Sequence, residues 1–201
     1  MLDTQMRRVI DPPLDLVGRR LAAAGISATA VTLVGFVVGL LAIPCLAAQW
    51  YAAALAAILL NRLADGLDGA VARQKRLSDF GGYLDIVGDF VFYAGVIFGF
   101  ALARPENVRP AAFLIFAFVG TGTSFLAFAI LAAKRGISTA AQGRKSLYYL
   151  GGLTEGTETI LFFVAICLFP TAFPWLAWLF GALCWVTTVT RILTARKAFG
   201  D

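Results

Sequence analysis

The chain has 201 residues, 60% of them hydrophobic and 14% charged, with a mean hydropathy of +0.81, and this excludes a soluble globular domain. Its 17 Lys and Arg against 12 Asp and Glu give a formal charge of +5, but the basic residues cluster between apolar stretches, the pattern of a membrane protein and not of a nucleic-acid binder. There is no histidine, and Cys45, Cys167 and Cys184 stand alone in apolar segments, which points to packing residues and not to a zinc site or a disulfide framework.

The first 25 residues are polar and lack the apolar core of a cleaved signal peptide. Asp11 can cap a helix whose first turn holds Pro12 and Pro13, and Leu14, Val17 and Leu21 then share a face with Arg19 and Arg20 off it. The expectation is a short amphipathic helix lying on the membrane interface; the alternative is a solvated tail. Six apolar spans follow, at roughly 26–48, 50–72, 82–104, 110–133, 148–170 and 174–196, each near the ~20 residues needed to cross a bilayer. The whole of 1–201 is thus expected to be one all-α membrane domain of six transmembrane helices behind an N-terminal juxtamembrane helix. Gly35 and Gly39 in the first span and Gly120 and Gly122 in the fourth favour close helix packing, with dimerisation as the alternative.

This division sorts the basic residues sharply. Fourteen, including Arg73, Lys75, Arg76, Lys134, Arg135, Arg144, Lys145 and Arg191, fall on one side, two (Arg104 and Arg109) on the other, and Arg62 lies inside the second span. The rule that Lys and Arg stay inside then assigns the termini and the 73–81 connection to the cytoplasm of an inner, or plasma, membrane. The outer connections are minimal, and Trp50, Trp175 and Trp178 suit the interfacial belts.

The stretch from Asp65 to Asp89 is the anomaly in this apolar chain. Asp65 and Asp68 are spaced i, i+3 and Asp85 and Asp89 i, i+4, so each pair shares a helix face. Four carboxylates in a membrane-embedded segment cost roughly 2.5–3.5 kcal/mol each on insertion scales unless they meet a cavity, a partner or an ion. A shared site for a hard divalent cation answers all four at once, and Mg²⁺ in particular takes a few carboxylates together with substrate phosphates. Gly66 and Gly69 beside the first pair, and Gly81 and Gly82 before the second, offer backbone access to a phosphate, and Arg73 can pair with a phosphate oxygen.

The pattern D-x2-D-G-x2-A-R-x7-G-x3-D-x3-D, written here by Asp65, Asp68, Gly69, Ala72, Arg73, Gly81, Asp85 and Asp89, resembles the signature of the CDP-alcohol phosphatidyltransferase family at every fixed position. Ser27 to Gly35 is similar to the family's T-P-N-x-L-T-L-x-G entry to the first span, with Ala28 and Thr29 in place of Pro-Asn, which leaves open how that span is capped. The resemblance implies six transmembrane helices behind a juxtamembrane helix in a homodimer. It implies Asp65, Asp68, Asp85 and Asp89 as ligands of Mg²⁺ or Mn²⁺, two ions in all, and Asp89 also as the general base. Gly69, Ala72, Arg73 and Gly81 would then belong to the CDP-donor site. The implied reaction is transfer of a phosphatidyl group from CDP-diacylglycerol to an alcohol hydroxyl with release of CMP, in phospholipid biosynthesis. The rivals are transfer of a phospho-alcohol head from a CDP-alcohol to diacylglycerol and, outside enzymes, a membrane cation transporter.

Three groups outside the motif remain. Arg62 can pair with Asp65, with a fifth-span glutamate or with a donor phosphate, and Asn61 is a supporting candidate beside it. Glu155 and Glu158, one turn apart in the fifth span, are candidates for an acceptor pocket, or for pairing with Arg62 or Arg191. Arg144 and Lys145, with Lys134 and Arg135, either reflect topology alone or receive a phosphorylated acceptor, whereas the glutamates favour an acceptor with an amine or many hydroxyls.

Overall fold

The computed structural model describes residues 2–74, 78–136 and 152–200, with side chains from residue 10 onward. These residues form eight α-helices and no strand: α1 (Leu2–Ala23), α2 (Ala28–Leu40), α3 (Ala42–Ala47), α4 (Tyr51–Gln74), α5 (Asp79–Ala103), α6 (Val108–Lys134), α7 (Gly156–Leu168) and α8 (Phe173–Phe199). Among the described residues four helical stretches are long and apolar enough to cross a membrane: Ala28–Ala47, Asp79–Ala103, Pro105–Lys134 and Pro170–Phe199. The first joins α2 and α3 across a kink at Leu41, where Pro44 has no N–H to donate to the preceding turn. Of the other two expected spans, α4 is long but carries Arg62, Asp65, Asp68 and Arg73, and α7 has only 13 residues.

Ser27 resolves how the first span is capped. Its hydroxyl accepts from the Ala30 N–H at 3.1 Å, so the departure from Pro-Asn costs the helix nothing at its N-cap. The helix start expected at Asp11 is corrected: α1 already runs from Leu2 and continues through Pro12 and Pro13. Both prolines are exposed, where water or headgroups can satisfy the carbonyls they leave without an intrahelical donor. On the expected apolar face Leu14 is buried against the protein and Val17 is 41% exposed, while Gly18 beside them is buried. Leu14 lies over Gly66 and Gly18 over Ala70, which docks α1 along α4. A Cβ on Gly66 would come within 2.6 Å of Leu14 Cδ1, so this glycine makes room for α1 and not for a phosphate.

The core is rich in aromatic side chains. Phe92, Val96, Ile97 and Phe100 of α5 are buried among Leu46, Ile58, Leu114, Phe163 and Phe173, with Phe100 stacked on Phe173 at 4.6 Å and Phe162 on Phe180 at 4.4 Å. Cys167 and Cys184 are buried in this cluster. At the opposite end from the motif, Gln49 adopts the left-handed φ of 60°. Its side chain donates to the Ala103 carbonyl at 3.2 Å, which caps the end of α5 and offsets part of that backbone cost.

Candidate active site

Both halves of the acidic motif are helical, which turns sequence spacing into geometry. Asp65 and Asp68 lie in the second half of α4, and Asp85 and Asp89 lie nearly two and nearly three turns into α5. Ser78 starts α5 by accepting from the Gly81 N–H at 3.2 Å. The Gly81 amide is therefore engaged in the helix cap. A pocket opens between α2, α4 and α5, and its lining includes all four aspartates together with Arg62 and Thr32.

Within that lining the carboxylates are not equivalent. Asp65, Asp68 and Asp85 each present an oxygen such that the three lie within 4.8 Å of one another, a hard-oxygen donor set that fits a divalent ion such as Mg²⁺ or Mn²⁺. Asp68 is 7% exposed, and Thr32 of α2 donates its hydroxyl to Asp68 Oδ2 at 2.6 Å. Asp89 is held differently: Arg62 Nη2 donates to its Oδ1 at 2.7 Å. Arg62 Nη1 also stands 3.7 Å from Asp65 Oδ2, the pairing open to it in the sequence, while its bond to Asp89 was not foreseen there.

Arg73 and its neighbours form the outer part of the site. The Arg73 guanidinium donates from Nε (3.1 Å) and Nη2 (2.7 Å) to Asp15 Oδ1 of α1. A Cβ placed on Gly69 would meet nothing but the Arg73 guanidinium, at 3.5 Å, so the α4 surface there is open to a ligand group. Ala72 is half-buried beside it. Thr32 and Asp15 are the residues that sequence reasoning missed. Each reaches the motif from a helix more than thirty positions away, and no local pattern marks them.

The expected acceptor residues divide. Arg144 and Lys145 lie outside the described residues. Glu155 and Glu158 stand at the start of the fifth helix: Glu155 is the N-cap of α7 and Glu158 its N3 residue, in a reciprocal capping box. Glu155 also accepts from the Gly152 N–H at 2.8 Å, and Glu158 from the Glu155 N–H at 3.2 Å. The segment is pinned to α8 by Thr187, whose hydroxyl accepts from the N–H groups of Leu153 and Thr154 at 3.2 Å each. Neither glutamate lines the aspartate pocket. The fifth helix accordingly starts later than expected, at Gly156 among the described residues.

The match to a family model decides what this geometry belongs to. The CDP-alcohol phosphatidyltransferase model matches residues 20–192. The chain belongs to that family. It is therefore a transferase, which sets aside the cation-transport reading. It is 60% identical over 193 residues to the inner membrane protein YnjF of Escherichia coli K12, covering 96% of this chain and 94% of that one. It is 29% identical over 196 residues to the archaetidylinositol phosphate synthase of Pyrococcus horikoshii, covering 96% of each. The fold is that of Mycobacterium tuberculosis phosphatidylinositol phosphate synthase PgsA1. The structure of that protein with CDP-DAG bound superposes with a TM-score of 0.69 at 22% identity, over 91% of this chain and 93% of that one. Its complex with manganese and citrate gives a TM-score of 0.67 at 22% identity, over 90% and 88%.

Proposed function

We propose that this phosphatidyltransferase moves a phosphatidyl group from CDP-diacylglycerol to the hydroxyl of an alcohol acceptor and releases CMP. The observation that carries the reading is the convergence of Asp65, Asp68 and Asp85, from two helices, within 4.8 Å beside the open face of α4 at Gly69. A Mg²⁺ or Mn²⁺ ion bound there supplies Lewis acidity toward the donor diphosphate. The chain's own residues do the rest. Thr32 fixes the Asp68 carboxylate, and Arg73 exchanges Asp15 for a donor phosphate, a substitution that an exposed ion pair allows at little cost. Asp89, oriented by Arg62, accepts the acceptor's proton as its oxygen bonds to the lipid-side phosphorus and the bond from that phosphorus to the CMP oxygen breaks.

The reading includes six membrane crossings, with α4 and α7 completing the four long apolar helices, α1 at the interface, and both termini and the site at the cytoplasmic face. The fourteen-to-two division of basic residues and the E. coli relative's name as an inner membrane protein support it. The family resemblance adds a homodimer. The test is CMP release by the purified protein from CDP-diacylglycerol against a panel of acceptors. Inositol phosphate comes first, because two of the similar proteins are named as synthases of inositol phosphate lipids. One acceptor is expected to raise CMP release at least tenfold above the rest of the panel, a discrimination of about 1.4 kcal/mol or more. CMP release with none of them contradicts the proposal.

A further inference from the structure

Arg62 lies in the middle of the second expected span, and its surroundings hold it rigidly. Asn61 Oδ1 accepts from Arg62 Nε at 2.9 Å and Nη2 at 2.6 Å, while Asn61 Nδ2 donates to the Gly35 carbonyl of α2 at 2.9 Å. A Cβ on Gly39 would come within 2.7 Å of Asn61 Nδ2 and 2.9 Å of Phe92, so α2 approaches closely enough to lock this bracket. The guanidinium lies 4.8 Å from the Phe92 ring centre and 5.3 Å from that of Tyr93, and Nη1 reaches the Tyr93 hydroxyl at 3.3 Å. The side chain is 15% exposed.

From this bracket the guanidinium joins two carboxylates of different standing, Asp89 at 2.7 Å and Asp65 at 3.7 Å. Asp65 belongs to the trio whose oxygens converge, and Asp89 does not. We propose that Arg62 is a positioning residue that reserves Asp89: its fixed charge takes the place of a second divalent ion, so that the donor-free protein binds a single ion on Asp65, Asp68 and Asp85. Four carboxylates and one guanidinium leave three negative charges, and one divalent ion leaves one. A second divalent ion serving Asp65 and Asp89 would have to settle against a guanidinium that cannot be deprotonated and that aromatic rings and Asn61 prevent from swinging away. The donor's diphosphate brings two further negative charges and shifts that balance, so a second ion enters with the donor. This inference rests on the metal-site part of the proposed function and on nothing about the acceptor.

The test reads ion binding and not turnover. Mn²⁺ is titrated into the full-length protein in lipid nanodiscs without donor, and the free-ion signal is followed by electron paramagnetic resonance. Wild type and Arg62→Lys, which keeps the charge, are expected to take up one Mn²⁺ per chain, and Arg62→Gln two; CDP-diacylglycerol raises the wild type to two. Two ions on donor-free wild type, or one ion on Arg62→Gln, overturn the proposal and leave the metal site standing. Failure of every variant to bind Mn²⁺ overturns the metal-site reading as well. Because Arg62→Gln leaves Asp89 half-buried and can fail to fold, Asp89→Asn provides a second measurement. Its donor-free Mn²⁺ affinity is expected to stay within about threefold of wild type, since Asp89 is no ligand of the first ion, and a loss on the order of a hundredfold contradicts this.

Discussion

Two sets of buried or half-buried carboxylates in this chain are used in opposite ways. Asp65, Asp68, Asp85 and Asp89 turn away from their own helices, toward one another and toward Thr32 and Arg62, and they line a pocket. Glu155 and Glu158 turn back on their own chain and satisfy the backbone at the start of α7. The sequence gives both sets the same signature, acidic residues at helical spacing in apolar surroundings. The difference teaches that the cost of a charge in such a setting is a reason to look for its partner, and that the partner's position decides between chemistry and folding.

The sharpest way to break this contrast is to remove one charge from each set. Asp68→Asn is expected to lower CMP release on the order of a thousandfold, the scale of several kcal/mol lost with a divalent ion at the reacting phosphate, while the protein keeps its thermal stability. Gly39→Ala attacks the bracket without touching a charge. Its Cβ would overlap Asn61, and the expected cost is about 1–3 kcal/mol in stability by thermal melting, with a parallel fall in CMP release. Gly69→Leu is its counterpart on the open face, where there is room for a Cβ: stability is retained, but the donor KM rises about tenfold, roughly 1.4 kcal/mol of donor binding. Glu158→Gln weakens only a cap. It is expected to cost about 0.5–2 kcal/mol in stability and to leave the acceptor KM within about twofold of wild type. A changed acceptor KM with unchanged melting would move Glu158 into the acceptor pocket and dissolve the contrast. Smallest is Asp15→Asn: the exposed pair with Arg73 contributes about 0.5 kcal/mol or less, and the freed guanidinium lowers the donor KM slightly.

Helix identities were legible where apolar runs are long. Spans expected at 82–104, 110–133 and 174–196 appear as Asp79–Ala103, Val108–Lys134 and Phe173–Phe199, because hydropathy over twenty residues leaves little room for another reading. The helix ends were less legible. Pro12 and Pro13 read as a helix start because proline has no N–H to lose there, yet α1 tolerates them on an exposed side. That Glu155 and Glu158 cap α7 was not legible either, because a carboxylate that caps a helix and one that faces a ligand look alike in sequence. Spacing alone marked all four aspartates as one cluster, but not that Asp65, Asp68 and Asp85 converge while Asp89 pairs with Arg62; that attachment spans 27 positions and Asp15's to Arg73 spans 58, distances at which only the packing of α1, α4 and α5 brings partners together.

The central claim is that the α4 and α5 carboxylates hold a divalent ion that CDP-donor chemistry requires. The direct measurement is CMP release from CDP-diacylglycerol by wild-type protein stripped with EDTA and then supplied with Mn²⁺ or Mg²⁺, beside Asp85→Asn treated in the same way. The predicted result is loss of CMP release on stripping, recovery of wild type with either ion, and no recovery of Asp85→Asn at any ion concentration. CMP release that survives stripping, or an Asp85→Asn protein that recovers like wild type, contradicts it.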